Sequence, residues 1–189
     1  MAERVSAMSC EQALSVLAHL KREGSVRDVA LWSLGIGAGL RIGELLRLRA
    51  CDFLTAGGQV DTRLVVRSTK TSRERCVPLI PVVRDTVKAY ILSGLRHTEL
   101  LFPITRQHAH RLVREWCAAA GLEGRFGTHS MRKTFATLAY DRSGGDAALT
   151  ARVTGHSNPS QLMAYIGRTP ATEESVWDGV RDALAGCRV

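Results

Sequence analysis

The sequence predicts a mainly α-helical protein with one small antiparallel β-sheet, an α+β fold. Apolar residues recur at three- and four-residue spacing over most of the chain, which is typical of amphipathic helices. Two short β-type runs are joined by a polar stretch at 68–74, which indicates a hairpin. The 189 residues suffice for one hydrophobic core. We therefore expect residues 1–189 to form a single domain.

The first third of the chain predicts three helices. Ser9 and Gln12 have the spacing of a capping box, ahead of a helix over 10–21. A second, largely buried helix is predicted over 26–36, and the segment 42–48 starts a third. Between these two helices, closely spaced glycines predict a tight turn: Gly35, Gly37 and Gly39.

The predicted hairpin comprises residues 60–67 and 75–80. Its tip has the sequence STKTSRE and is basic, and Pro81 ends the second strand. Three further helices follow, each predicted by an apolar face: Val83, Val87, Tyr90 and Ile91; Leu112, Val113, Trp116 and Ala120; Met131, Phe135, Leu138 and Ala139.

The last quarter of the chain predicts three shorter helices. One spans 146–154 and precedes Gly155. Asn158 and Pro159 form an N-cap and first-turn pair for a helix through Tyr165. A final helix is predicted over 172–185. It packs either on its own core or on a neighbouring protomer.

Charge and composition restrict the function classes. The net charge of +8 favours an anionic partner, of which nucleic acid is the commonest; the alternative is a basic surface without a partner. No apolar run is long enough for a membrane span, and no signal-peptide core is present, so we expect a cytoplasmic protein with no membrane partner. The five cysteines include no CxxC pair, which excludes a zinc ribbon. No acidic cluster resembles a two-metal site, and we expect no metal and no cofactor.

One set of short motifs points to chemistry. In chain order these are GLRIGEL around Arg41, Lys70 at the hairpin tip, HSMR ending at Arg132, GH ending at His156, and Tyr165. Arg132 and His156 are 24 positions apart, and His156 and Tyr165 are 9 apart. Together the motifs resemble those of the tyrosine recombinases, the phage-integrase family, over about residues 8–175. The resemblance implies the recombinase catalytic-domain fold and site-specific DNA recombination through a 3′-phosphotyrosyl intermediate, without a metal ion.

The residue types suit that chemistry. An arginine is always charged and offers a planar fork of donors to a phosphate, so Arg41 and Arg132 are candidates for a phosphate clamp. Glu44 lies three residues after Arg41 and either orients it or forms a surface ion pair. His129 shares a helical face with Arg132. The resemblance implies that His129 assists proton transfer at the tyrosine.

By the same resemblance, His156 hydrogen-bonds the phosphate and Tyr165 is the nucleophile. Lys70 protonates the departing 5′-oxygen; the alternative is that Arg73 or Arg75 supplies the basic contact at the hairpin.

Further basic residues are predicted to contact DNA. Arg106 and Arg111 lie in a basic stretch at a helix start. Lys133 stands where the family commonly has histidine, and we expect it to add a phosphate-binding cation.

Most family members carry a DNA-clamping domain before the catalytic part. The 40 residues before Arg41 match the catalytic domain's own first helices. We therefore expect a single catalytic domain with no separate DNA-clamping domain, either a naturally short member or an isolated domain. The expected partner is double-stranded DNA. We expect a homo-tetramer on DNA and a monomer in solution. Two other functions stay open: a catalytically silent DNA-binding regulator and a type IB topoisomerase. A phosphodiesterase lacks the metal ligands that it would need.

Overall fold

A computed structural model describes residues 5–67 and 74–168. Within them the chain forms eight α-helices, one 3-10 helix and a two-stranded antiparallel sheet, which confirms the predicted fold class. The helices are α1 (Cys10–Glu23), α2 (Val26–Gly37), α3 (Ile42–Leu45), α4 (Pro81–Leu92), α5 (Arg106–Ala119), α6 (Thr128–Arg142), α7 (Ala147–Thr154) and α8 (Pro159–Ile166). The 3-10 helix, Ala50–Phe53, was not predicted.

The strands β1 (Arg63–Arg67) and β2 (Glu74–Pro78) pair antiparallel, with Val65 opposite Cys76. Both are shorter than the predicted runs. Ile80 is instead the N-cap of α4, and Pro81 occupies the first helical position, where its missing N–H is not needed. The hairpin tip, with Lys70 and Arg73, lies outside the described residues, as does the predicted helix over 172–185.

Two predictions near α2 are wrong. The third helix ends at Leu45 after one turn, because the chain then pairs with a later segment: the Leu101 N–H donates to the Leu48 carbonyl at 2.7 Å. Gly35 and Gly37 do not form a turn but remain helical. A Cβ atom at either position would collide with a side chain of α6 or α4, so these glycines allow the helices to pack closely.

The described residues contain two hydrophobic clusters. The larger surrounds α2 and includes Trp32, whose ring meets Trp116 edge-on at 6.2 Å between ring centroids. The smaller lies beneath α7 and α8 and has five buried members: Ala136, Ala151, Leu162, Met163 and Ile166. The helix α6 touches both α2 and α8, and it therefore links the two clusters.

None of the described helices is both long enough and apolar enough to cross a bilayer.

Candidate active site

A pocket of about 680 Å³ opens between the start of α3, the first turns of α5 and α6, and the segment from α7 to α8. Chain segments that are far apart in sequence meet here. The residues lining it include seven that the sequence analysis singled out: Arg41, Glu44, Arg106, His129, Arg132, His156 and Tyr165.

Arg41 is the N-cap of α3 and is held from two sides. Its Nη1 donates to Glu44 Oε1 at 3.1 Å, and its Nη2 donates to the Gly155 carbonyl at 2.8 Å. The backbone N–H of Arg41 also donates to Glu44 Oε2, at 2.9 Å. The arginine side chain remains 43% exposed. A guanidinium so placed is fixed by the protein yet accessible to an anion in the pocket.

Glu44 is not a surface residue, since its side chain is only 2% exposed. Besides the bonds from Arg41, its carboxylate accepts hydrogen bonds from both terminal nitrogens of Arg75, at 3.2 and 2.9 Å. Burial alone would raise the pKa of Glu44, but the hydrogen bonds from Arg75 and the Arg41 backbone, with both positive charges, hold that pKa below its ordinary value. One buried carboxylate therefore fixes two arginines from different segments.

Arg132 lies on α6 and is buried. Its Nη1 donates to the Gly39 carbonyl at 2.5 Å and its Nη2 to the Thr154 carbonyl at 2.6 Å. Burial, together with the charge of Arg41, lowers the pKa of Arg132 to about 10, so the side chain stays charged at neutral pH. Two backbone carbonyls thus orient a cation in an environment where its charge is poorly screened.

The carbonyls that hold Arg41 and Arg132 include those of two glycines with positive φ, Gly155 at 69° and Gly39 at 58°. Residues other than glycine rarely adopt a backbone conformation with positive φ. A Cβ atom at Gly39 would also collide with the Phe135 ring, and one at Gly155 with the Arg75 guanidinium. Both glycines are therefore required by local geometry at the positions that orient the arginines.

His156 follows the C-terminus of α7, and its Nδ1 is 2.6 Å from Thr154 Oγ1. Burial and the charges of Arg132, Arg41 and Arg75 lower its pKa to about 4. Its ring lies 5.1 Å from the Tyr165 ring, centroid to centroid, with the two planes tilted by 46°. At neutral pH, without DNA, His156 is therefore an uncharged imidazole beside the tyrosine.

Tyr165 lies in the last turn of α8 and is half-buried. Its hydroxyl donates to the backbone carbonyl of His129 at 3.2 Å. Burial raises the pKa of Tyr165 above its ordinary value, although the charges of Arg132 and Arg41 oppose the shift. The phenol is consequently protonated at neutral pH. The His129 side chain is exposed at the pocket, whereas its carbonyl binds the phenol.

The residues predicted to bind DNA differ in their position relative to the pocket and in their partners. Arg106 lines the pocket. Arg111 lies outside the set of residues that line it and pairs with Glu115 on the same helix at 3.6 Å. Lys133 also lies outside the pocket, and its Nζ donates to the Val5 carbonyl at 3.3 Å. Arg75 is 17% exposed and paired with Glu44, so its guanidinium already has a carboxylate partner.

Two residues at the site were not singled out as partners of the motif residues. The sequence predicts Arg75 as a DNA contact, whereas the structure pairs it with Glu44, which lies 31 positions earlier. Thr154 belongs to none of the motifs, although it comes two residues before His156 and is hydrogen-bonded to it. A hydroxyl residue that close to a motif histidine is the signal that could have indicated it.

The comparisons with known proteins agree with these motifs. The model of the phage integrase family matches residues 6–171. The probable integrase/recombinase YoeC of Bacillus subtilis (strain 168) is 35% identical over 148 residues, which cover 75% of this chain and 77% of that protein. The tyrosine recombinase XerC of Rhizobium meliloti (strain 1021) is 31% identical over 167 residues, which cover 82% of this chain and 49% of the relative. The chain thus spans about half the length of the Xer recombinases that it matches.

Solved structures have the same fold. The XerH site-specific recombinase bound to difH substrate in a pre-cleavage complex aligns with a TM-score of 0.74 and 19% identity, over 95% of this chain and 55% of that one. The XerA recombinase aligns with a TM-score of 0.70 and 22% identity, over 97% and 66% of the two chains. On the family match and its relatives, the chain belongs to the phage integrase family of tyrosine recombinases, enzymes that carry out site-specific DNA recombination.

Proposed function

We propose that this chain cleaves and rejoins double-stranded DNA at a specific site, with Tyr165 as the nucleophile. One observation carries the proposal: the hydroxyl-bearing ring of Tyr165 shares a pocket with two oriented arginines, Arg41 and Arg132, and with His156. That combination supplies what phosphodiester cleavage needs, a nucleophile and fixed positive charge around one phosphate.

In the proposed reaction, Tyr165 Oη attacks a DNA phosphorus and the bond from phosphorus to the 5′-oxygen breaks. A 3′-phosphotyrosyl link forms and a 5′-hydroxyl is released. The 5′-hydroxyl of a second strand then attacks the link, and the tyrosine leaves. Because a phosphodiester is exchanged for another at each step, no ATP is consumed. Arg41 and Arg132 stabilise the charge that develops on the non-bridging oxygens, and each such donor contributes about 10²–10³ in rate.

Protons must move at both ends of this exchange. The phenol is protonated at neutral pH and must lose its proton as it attacks, a step that the resemblance assigns to His129. The departing 5′-oxygen must gain a proton, for which Lys70 is the proposed donor. Arg73 is the alternative basic contact in that segment. Arg75 is the weaker alternative because it is paired with Glu44.

The proposed substrate follows from charge and from likeness. The chain carries a net charge of +8, and the XerH protein of the same fold was solved bound to a difH substrate. Arg106 lines the pocket and is the best placed of the predicted DNA contacts. We also propose a homo-tetramer as the assembly on DNA.

A nicked suicide substrate tests the nucleophile. Candidate DNA flanking the gene is nicked next to the cleavage site, so that a covalent protein–DNA adduct accumulates and is measured on a denaturing gel. Tyr165→Phe is expected to bind the DNA and form no adduct. Tyr90→Phe is the matched control, since Tyr90 stacks on Phe102 away from the pocket, and it should react normally. An adduct that persists in Tyr165→Phe would refute the assignment.

The same assay tests the proton donor. Lys70→Ala should cleave ordinary DNA slowly and recover on a substrate whose leaving 5′-oxygen is replaced by sulfur, because a thiolate leaves without a proton. Failure to recover would assign the donor role to another residue. Relaxation of plasmids without the flanking site would favour the type IB topoisomerase alternative over recombination, and DNA binding without any adduct would favour the silent regulator.

A further inference from the structure

The hydroxyl of Thr154 has two close neighbours, and the Ala151 carbonyl lies farther away at 3.4 Å. Thr154 is the last residue of α7 and is 1% exposed. Its Oγ1 lies 2.7 Å from the Thr150 carbonyl oxygen and 2.6 Å from His156 Nδ1. Both distances are those of strong hydrogen bonds, yet a hydroxyl has only one proton to donate.

The position of that proton follows from its partners. A carbonyl can only accept, so the contact with Thr150 requires the hydroxyl to donate there. The same hydroxyl must then accept from His156, whose Nδ1 therefore carries hydrogen. If the hydroxyl donated to His156 instead, its oxygen and the Thr150 carbonyl oxygen would lie 2.7 Å apart with no proton between them.

We propose that Thr154 is a positioning residue that fixes the tautomer of His156. The neutral ring carries its proton on Nδ1 and leaves Nε2 unprotonated. An unprotonated nitrogen cannot donate to a phosphate oxygen. If the proposed function holds, His156 must therefore take up one proton from solvent at Nε2 before it can hydrogen-bond the scissile phosphate, and phosphate binding is coupled to proton uptake at this residue.

The charges around the ring support this coupling. His156 is faced by Arg41 from α3, Arg75 from β2 and Arg132 from α6, and by the neutral phenol of Tyr165 from α8. Burial and the three cations hold the pKa of His156 near 4, so the ring is neutral in the DNA-free protein. A phosphate anion placed among these cations opposes their effect and raises that pKa.

The hydroxyl can be removed without disturbing the arginine clamp. Arg132 is held by the carbonyl of Thr154, which any side chain at this position retains. Thr154→Val keeps the shape of the side chain and lacks the hydroxyl, whereas Thr154→Ser keeps the hydroxyl. Thr150→Val is a matched control, because it removes another buried hydroxyl of α7, one that donates to the Asp146 carbonyl instead of meeting His156.

The first measurement is NMR of the DNA-free protein with ¹⁵N-labelled histidine rings, in which the shifts and couplings of the two ring nitrogens identify the protonated one. His156→Asn assigns the signals. The wild type, Thr154→Ser and Thr150→Val should all show protonated Nδ1 and bare Nε2 at pH 7. Thr154→Val should lose that preference while retaining a folded spectrum. Protonated Nε2 in the neutral wild-type ring, or an unchanged tautomer in Thr154→Val, would overturn the inference.

The second measurement adds inorganic phosphate as a probe. In the wild type and Thr154→Ser, phosphate should raise the pKa of His156 and protonate both ring nitrogens, since Thr154 accepts from Nδ1 in the cation as well. The rise should be smaller in Thr154→Val. The two arms separate the claims. A protonated Nδ1 with no response to phosphate would support the tautomer and contradict both proton uptake and the proposed phosphate site. The wrong tautomer with a normal phosphate response would contradict the role of Thr154 alone.

Discussion

The two halves of the active site rest on different cores. On the arginine half, Arg132 donates to the Gly39 carbonyl after α2, and Arg41 donates to the buried Glu44. The second guanidinium bond of each arginine reaches the C-terminal end of α7, at the carbonyls of Thr154 and Gly155. The nucleophile half, with Tyr165 on α8, packs on a cluster that has five buried members within residues 5–67 and 74–168. Cations that are already oriented need no rearrangement when charge develops on a phosphate. A segment with a small core opens more readily than the rest of a protein, and we therefore expect α8, which carries Tyr165, to open before α1 and α2.

The hydrogen bonds agree with this division. Each arginine of the clamp makes two hydrogen bonds between its guanidinium and other groups of the protein, at 2.5 to 3.1 Å. The Tyr165 hydroxyl has a single described partner, the His129 carbonyl at 3.2 Å. To attack a phosphorus atom, the phenol must give up its hydrogen bond to that carbonyl. This step costs little free energy, because only one long hydrogen bond is lost.

The largest effect is expected where the rigid half is broken. Glu44→Gln keeps the size of the side chain and removes the charge shared by Arg41 and Arg75. Breaking a buried ion pair at one partner costs about 3 kcal/mol of unfolding free energy, and misplacing the clamp should slow strand cleavage about 10²-fold. Urea unfolding and the rate of adduct formation measure the two effects.

Glu115→Gln is the control for Glu44→Gln. Glu115 pairs with Arg111 at the surface, with both side chains more than half exposed, so its loss should cost under about 0.5 kcal/mol and leave cleavage unchanged. If Glu44→Gln behaves like Glu115→Gln, the arginine half does not depend on its buried carboxylate.

A pair of core substitutions compares the two clusters directly. Leu31 in the large cluster and Leu162 in the small one are both fully buried, and truncation to alanine costs about 2–5 kcal/mol at such sites. Leu162→Ala should speed hydrogen exchange at least about 25-fold in α7 and α8 while α1 and α2 keep their protection. Leu31→Ala should weaken protection throughout. Uniform loss of protection in Leu162→Ala would show that the two halves open as one unit.

The sequence predicted what local signals encode. The capping box of Ser9 and Gln12 and the Asn158 cap ahead of Pro159 are formed within a few residues, and both are present in the structure. The motif residues were found by their resemblance to a family, since no local rule brings Arg41 near His156.

The sequence did not predict the long-range contacts in which a side chain binds a distant backbone carbonyl or a distant charged residue outside the motifs. Arg132 is held by the Gly39 carbonyl, 93 positions away, and every residue has a carbonyl, so sequence carries no sign of it. The pairing of Arg75 with Glu44 depends on how the hairpin docks, and Lys133 points to Val5 because of where the N-terminal segment crosses α6.

A smaller effect is expected from pH, through His156 beside Tyr165. The pKa of this residue is about 4 in the folded chain and 6.5 ordinarily. As pH falls from 6.5 towards 4, the unfolded chain binds a proton that the folded chain does not, so the free energy of unfolding decreases. Solvent screening at this partly exposed residue limits the loss to about 1–2 kcal/mol.

His156→Asn should remove that part of the pH dependence. Urea unfolding between pH 7.5 and 4.5 measures it and stays above the range in which Glu44, with its lowered pKa, gains a proton. Parallel curves for the wild type and His156→Asn would mean that burial and the three arginines do not depress the pKa of this histidine.

The smallest effect expected is at the far end of the nucleophile helix. Arg168, just after α8, pairs with Asp141 of α6 at 3.1 Å, and the two side chains are 53% and 48% exposed. An exposed pair of this kind contributes about 0.2–1 kcal/mol, and salt screens it. Asp141→Asn should therefore leave the urea midpoint nearly unchanged, yet raise the exchange rates of the α8 amides a few-fold at low salt, because a weakly held segment responds to a small loss. In about 1 M salt, where the screening length is near 3 Å, the wild type and Asp141→Asn should exchange alike. A difference that persists at high salt, or one that spreads to α1 and α2, would mean that α8 is fixed as firmly as the arginines.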